Sequence, residues 1–241
     1  TTLYAAGAKA VWMRDSTQSS FTRISGNTIS FSSYSSGIAA VTANGSEVYM
    51  LANAWGGNKE IFRLYKLEKT DDAAEWKLVP NSDFYKPGEI TFEGASKDVY
   101  GMYFINGKLT VFTKTCEVEW TDSGWVPTPH ADGLRLNFFG EYNANLQYNK
   151  GVFKTETGYI AAGENGGLYR YANGVWSQLV WSTNEGVNEA LDPNTAFEIF
   201  SVAPNGDIIV GIGGQLRNQV FYLVKTSRLT DMKCVIKIPL D

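Results

Sequence analysis

Only two cysteines and a single histidine occur among the 241 residues, and that scarcity removes several kinds of chemistry. Two thiols as far apart as Cys116 and Cys234 do not make a disulfide framework. Each sits in an apolar, strand-patterned stretch, so buried free thiols are expected, with a pairing between them left open. Cys116, Cys234 and His130 share no zinc-ligand spacing. The Asp and Asn residues of the loops leave an all-oxygen calcium site open, but no segment matches a calcium-binding helix–loop–helix and most of these residues read as turn formers, so no metal is expected. A Ser-His-Asp triad would have to use His130, and no Gly-x-Ser-x-Gly elbow accompanies it. Gly211-Ile212-Gly213-Gly214 lacks the lysine of a phosphate loop and precedes a strand pattern, so no nucleotide cofactor is expected.

Positive charge is thin as well. Twenty-one basic residues stand against 25 acidic ones, for a formal net charge of −4. The nearest approach to a basic tract runs from Lys59 to Lys69, where Arg63 and Lys66 alternate with Glu60 and Glu68, as on a solvated strand face. Phosphate backbones require concentrated positive charge, so nucleic acid is not an expected partner. No apolar run approaches the roughly 20 residues that cross a bilayer, so no membrane span is expected. No signal-peptide pattern opens the chain at Thr1, which is also how a chain looks once a leader has been removed.

What the chain has in quantity is aromatic residues, glycine and a repeat. Thirteen Tyr, thirteen Phe, seven Trp and 24 Gly favour strands joined by tight turns. One unit reads Ile38 to Val41, the turn Asn44-Gly45, Val48 to Ala52, Ile61 to Tyr65, and Trp76 to Val79. The same order returns from Tyr100 to Val126, from Gly151 to Val180 and from Phe197 to Ile238. The first-turn residues Asn44, Asn106, Thr157 and Asn205 are spaced 62, 51 and 48 apart, and Trp76, Trp125 and Trp176 are spaced 49 and 51 apart. Those are the periods of four-stranded propeller blades. Asn-Gly readily takes positive φ at both central positions, as a type I′ hairpin turn requires. At the N-terminus, Leu3 to Gly7 aligns with Tyr159 to Gly163 and Val11 to Arg14 with Leu168 to Tyr171, so the chain enters a blade at its second strand.

This layout resembles that of β-propeller repeat proteins, particularly the degenerate bacterial propellers with Gly-Trp or Gly-x-Trp before the outer strand. Gly124-Trp125 and Gly174-Val175-Trp176 hold those places. The resemblance covers nearly the whole chain and is architectural. The Gly-His…Trp-Asp pair and the kelch Gly-Gly pattern are absent, and Thr121 to Trp125 matches a sialidase Asp-box only loosely. Repeat and resemblance together imply an all-β propeller of about five four-stranded antiparallel blades in one domain, 1–241. The expected blades are 1–30, 36–80, 98–128, 148–181 and 197–240, the first lacking its innermost strand.

A fold does not set a function, so candidates come from the loops. The usual propeller scheme places the loops between second and third strands, and those leading into first strands, around one face. The former contain Trp55, Asn58, Lys59, Lys114, Glu164, Asn165, Gln215 and Arg217. The latter contain His130, Phe139 and Tyr142, all within 130–149, which with 81–97 is one of the two longest connections. Aromatic residues beside amides and charges suit a sugar or a peptide. The expectation is a non-enzymatic protein of the cell surface, periplasm or extracellular space that binds a glycan or a protein through that face, alone or as part of a larger surface protein. The alternative is a glycan-active hydrolase or lyase, with carboxylates such as Asp98, Glu164 and Glu198 converging in a central channel.

Overall fold

A computed structural model describes residues 2–7, 10–24, 37–56, 59–70, 74–85, 99–137, 151–181, 197–203, 205, 207–212, 220–225 and 231–238. Among them the chain is almost wholly β-strand, with one short 3₁₀ turn at Ala131–Gly133. It divides into two compact units, 1–128 with 140–149, and 129–139 with 150–241.

In the first unit, β1 (Thr2–Gly7), β2 (Ala10–Asp15) and β3 (Thr22–Arg23) make a three-stranded antiparallel sheet. Next come β4 (Gly37–Asn44), β5 (Glu47–Gly56), β6 (Lys59–Lys69) and β7 (Ala74–Leu78), paired in chain order, with β8 (Phe84–Tyr85) lying beside β6 beyond the end of β7. A second meander is β9 (Gly101–Ile105), β10 (Lys108–Phe112), β11 (Cys116–Thr121) and β12 (Gly124–Pro129). The second unit holds β13 (Val152–Thr155), β14 (Gly158–Ala162), β15 (Leu168–Ala172) and β16 (Val175–Gln178). After β17 (Val180–Trp181) come β18 (Phe197–Val202), β19 (Ile208–Ile212), β20 (Val220–Lys225) and β21 (Asp231–Ile238), and β17 joins β21 in parallel.

The fold is that of a β-propeller with four four-stranded antiparallel blades. This corrects the expected count of about five. The N-terminal segment does not build a four-stranded blade, because its third strand is two residues long and β1 stands at the edge of the sheet among the described residues.

Blade packing explains why the strands read as continuous apolar runs. In β5, Val48, Met50 and Ala52 face one cluster with Val11, Ile24 and Trp76, while Tyr49 and Leu51 face another with Val99, Met102, Val111 and Val118. In β6, Phe62 and Leu64 take the second face, Tyr65 and Leu67 the first. Successive side chains point to opposite sides, and here both sides are buried. The β4 register shifts between Ile38 and Ala40, so Ala39 and Ala40 both pack toward the second cluster.

Turn chemistry sets the hairpins, and not always as expected. Asn106-Gly107 (φ 51 and 82) and Asn173-Gly174 (φ 53 and 83) carry positive φ at both central positions. At the first hairpin, Asn44 instead pairs with Glu47, so the central residues are Gly45-Ser46 and the positive φ of 60 falls on Gly45. The expected centre at Thr157-Gly158 is shifted too, since Thr155 pairs with Gly158. There Thr155 Oγ1 donates to Gly158 O at 3.1 Å and accepts from Thr157 N at 3.3 Å. Thr121 repeats the pattern, donating to Gly124 O at 2.8 Å and accepting from Ser123 N at 3.2 Å. These Thr-x-x-Gly turns are closed by threonine hydroxyls.

Cys116 is a buried free thiol, packed beside Val118 and Leu109. Burial pushes its pKa above the ordinary 9.0, with Glu117 adding to the rise and a hydrogen bond from Thr115 opposing it. The folded chain therefore holds this proton longer than the unfolded chain. The stabilisation is complete below the ordinary value of 9.0 and declines as pH rises through it toward the raised value. Urea midpoints between pH 7 and pH 10 should fall more steeply for the wild type than for Cys116→Ala, and equal slopes would contradict the burial effect.

Candidate functional site

The second unit carries a cleft of about 370 Å³ where the chain arriving from β12 meets the β14–β15 connection. His130 leads into the turn Ala131–Gly133, which Leu134 N closes by donating to Ala131 O at 3.1 Å. Asp132 takes the left-handed conformation there, at φ 55 and ψ 23, followed by Gly133 at φ 67. Asp tolerates this region better than most residues, and glycine is indifferent to it.

Residues 134–137 then run beside the exit of β14. Leu136 bridges Gly163, Asn137 N donates to Ala162 O at 2.7 Å, and Glu164 N donates to Arg135 O at 2.7 Å. The β14–β15 connection folds on itself, Gly163 N donating to Gly167 O and Gly166 N to Gly163 O. Gly166 and Gly167 sit at φ 98 and 85, which other residues rarely adopt. Gly163 is needed for a different reason. A Cβ there would stand 2.6 Å from Gly166 O and 2.7 Å from Tyr169 Cε2, so the tyrosine ring lies directly over it.

Tyr169 and Trp176 supply the aromatic wall. Tyr169 pairs with Gln178 across β15 and β16, and Tyr171 pairs with Trp176, which places all four on one face. The aromatic ladder runs from Tyr159 through Tyr171 to Trp176, with ring centroids 6.2 and 5.2 Å apart. His130, itself buried, meets Trp176 edge-on at 5.8 Å. Its Nδ1 lies 3.2 Å from Leu134 O, and since a carbonyl only accepts, Nδ1–H is the donor. Burial raises the Tyr159 pKa above its ordinary value.

The rim is polar. Asp132, Arg135, Asn165 and Gln178 line it. Arg135 Nε donates to Glu164 Oε2 at 2.6 Å.

Of the residues expected to bind ligand, Asn165 lines this cleft, while His130 packs edge-on to Trp176 and Glu164 pairs with Arg135, each touching a lining residue rather than lining the cleft itself. Lys114 lies in the first unit, half-buried in the turn between Thr113 and Cys116. Trp55 and Lys59 pair through their backbones with Glu60 and Gly56 in the β5–β6 hairpin, and their side chains fall outside the description. Asn58, Phe139, Tyr142, Gln215 and Arg217 lie outside the described residues. Among the carboxylates considered for hydrolysis, Glu164 is engaged by Arg135, Asp98 lies outside the described residues, and Glu198 is described only as backbone in β18. Asp132, Arg135, Tyr169, Trp176 and Gln178 were not among the expected ligand residues. Among the described residues, no group of three or more His, Cys, Asp and Glu side chains is placed to hold a metal ion, and no helix is long and apolar enough to cross a membrane.

No protein-family model matches the chain, and no curated protein matches it.

Proposed function

We propose that this protein is a non-enzymatic binding protein, working outside the cytoplasm, that takes a carbohydrate into the cleft of its second unit. One observation carries this reading: an aromatic wall, Tyr169 and Trp176, stands beside a rim of amides and charged groups, Asp132, Arg135, Asn165 and Gln178. A sugar ring has an apolar C–H face and a hydroxyl edge. Aromatic surface suits the first, while amides and carboxylates exchange hydrogen bonds with the second. The volume of about 370 Å³ lies within the range of small-molecule sites and suits roughly one or two sugar rings. A protein ligand has less support. The exposed large apolar side chains among the described residues, Leu3, Phe21, Leu78, Val126 and Val175, come from separate strands and turns rather than from one run.

The test is calorimetric titration against a panel of neutral, acidic and amino oligosaccharides. At least one should bind, and Asn165→Ala and Gln178→Ala should each weaken it about 5- to 10-fold through lost hydrogen bonds. Both side chains are exposed, so melting temperatures should not move. A panel without binders, or binding indifferent to both variants, would contradict the proposal.

A further inference from the structure

The charge of the cleft narrows the ligand class further, a step that rests on the carbohydrate reading above. Among the described residues lining the cleft, Arg135 is the one cation. Glu164 holds its Nε at 2.6 Å, so the pair brings no net charge to the rim. Asp132 remains. Its side chain is exposed at the cleft, and among the described residues no ion pair or hydrogen bond engages its carboxylate. The turn beneath it is fixed by the Leu134 N to Ala131 O bond and by His130 donating to Leu134 O, so the charge is presented from an ordered backbone. Tyr169, half-buried, lines the same cleft, and aromatic rings attract cations.

We propose that the cleft selects an amino sugar with a free, protonated amine, the ammonium pairing with Asp132, over N-acetylated, neutral or acidic sugars. An ammonium gives the carboxylate a counter-ion and three N–H donors. Acetylation removes the charge and leaves a single donor. A uronate would set like charge beside Asp132, which weakens binding.

The experiment titrates the protein at pH 6 with four probes: a glucosamine tetramer, an N-acetylglucosamine tetramer, a glucuronate-containing tetramer and tetralysine. The glucosamine tetramer should bind about 10-fold more tightly than its acetylated counterpart, as a charge-assisted hydrogen bond allows. Asp132→Asn should bring the two close to parity without lowering the melting temperature, because Asn also tolerates the left-handed region. Equal binding of the two sugars by the wild type would overturn charge selection and leave the carbohydrate reading standing, as would a preference that survives Asp132→Asn. Tetralysine binding more tightly than the glucosamine tetramer would overturn the amino sugar in favour of a basic peptide. No oligosaccharide binding at all would remove both readings.

Discussion

Trp76→Ala is expected to lower the unfolding free energy of the first unit by about 3–5 kcal/mol, the usual cost of emptying a large aromatic site in a packed core. Trp76 is 2% exposed, in the cluster that holds Val11 and Ile24 of the N-terminal sheet region together with Met50, Tyr65 and Leu67 of the blade. The void would have blade strands on one side and the sheet on the other, so collapse onto it would require two hydrogen-bonded sheets to shift. Trp125 holds the equivalent place in the repeat and should be much less costly. Its ring is half-buried, edge-on to Trp120 at 5.0 Å, and its Nε1 donates to Ser82 O at 3.0 Å. Removing one such hydrogen bond and a partly exposed ring should cost about 1–2 kcal/mol. Urea denaturation of the two variants measures the difference. Equal losses would mean that the repeat position, rather than the packing around it, governs stability.

Gly158→Ala should cost about 2–4 kcal/mol, combining a strained backbone with a steric collision. Gly158 sits at φ 133, and a Cβ there would stand 2.3 Å from the backbone oxygen of Tyr171 on the neighbouring strand. A ladder oxygen cannot swing away as a flexible side chain can. Gly124 closes the sister turn at φ 115, yet a Cβ there would meet nothing within 4 Å. Gly124→Ala should therefore incur the backbone strain alone, about 1–2 kcal/mol. The gap between the two variants, read from thermal or urea unfolding, reports the close approach of β14 to β15. Indistinguishable losses would contradict that geometry.

These pairs also mark how far the sequence could be read. The repeat was legible because a blade is a local object: each strand pairs with its neighbour in the chain, so turn residues and the Trp76, Trp125 and Trp176 positions keep a visible period. The N-terminal segment carries similar strand signals, but its three strands form a separate sheet and not the expected fifth blade. The register of single hairpins was less visible. Asn44-Gly45 reads as a type I′ centre, but the longer β4–β5 ladder carries pairing through to Asn44 and Glu47 and moves the turn along by one residue. The parallel docking of β17 on β21 had no local signal, since its partner lies about 50 residues away in the chain.

Little of the cleft was legible: Asn165 lines it, and His130 and Glu164 touch residues that do. His130, Glu164 and Asn165 stand in connections, where loop position alone marks them. Tyr169 and Gln178 looked like ordinary strand residues, and only the β15–β16 register sets them side by side. Trp176 was absorbed into the repeat, because a residue that keeps the blade period and also walls a cleft has one sequence signal for two roles. Asp132-Gly133 did carry a clue: an Asp-Gly pair in a loop favours left-handed backbone, which the structure places at the rim.

Backbone amide chemical shifts, followed while the tightest-binding oligosaccharide is titrated in, test the central claim most directly. The cleft reading predicts that the largest changes fall on 131–135 and 163–167, with the Trp176 indole N–H moving alongside them. Saturable shifts centred on the first unit, with those segments unmoved, would contradict it.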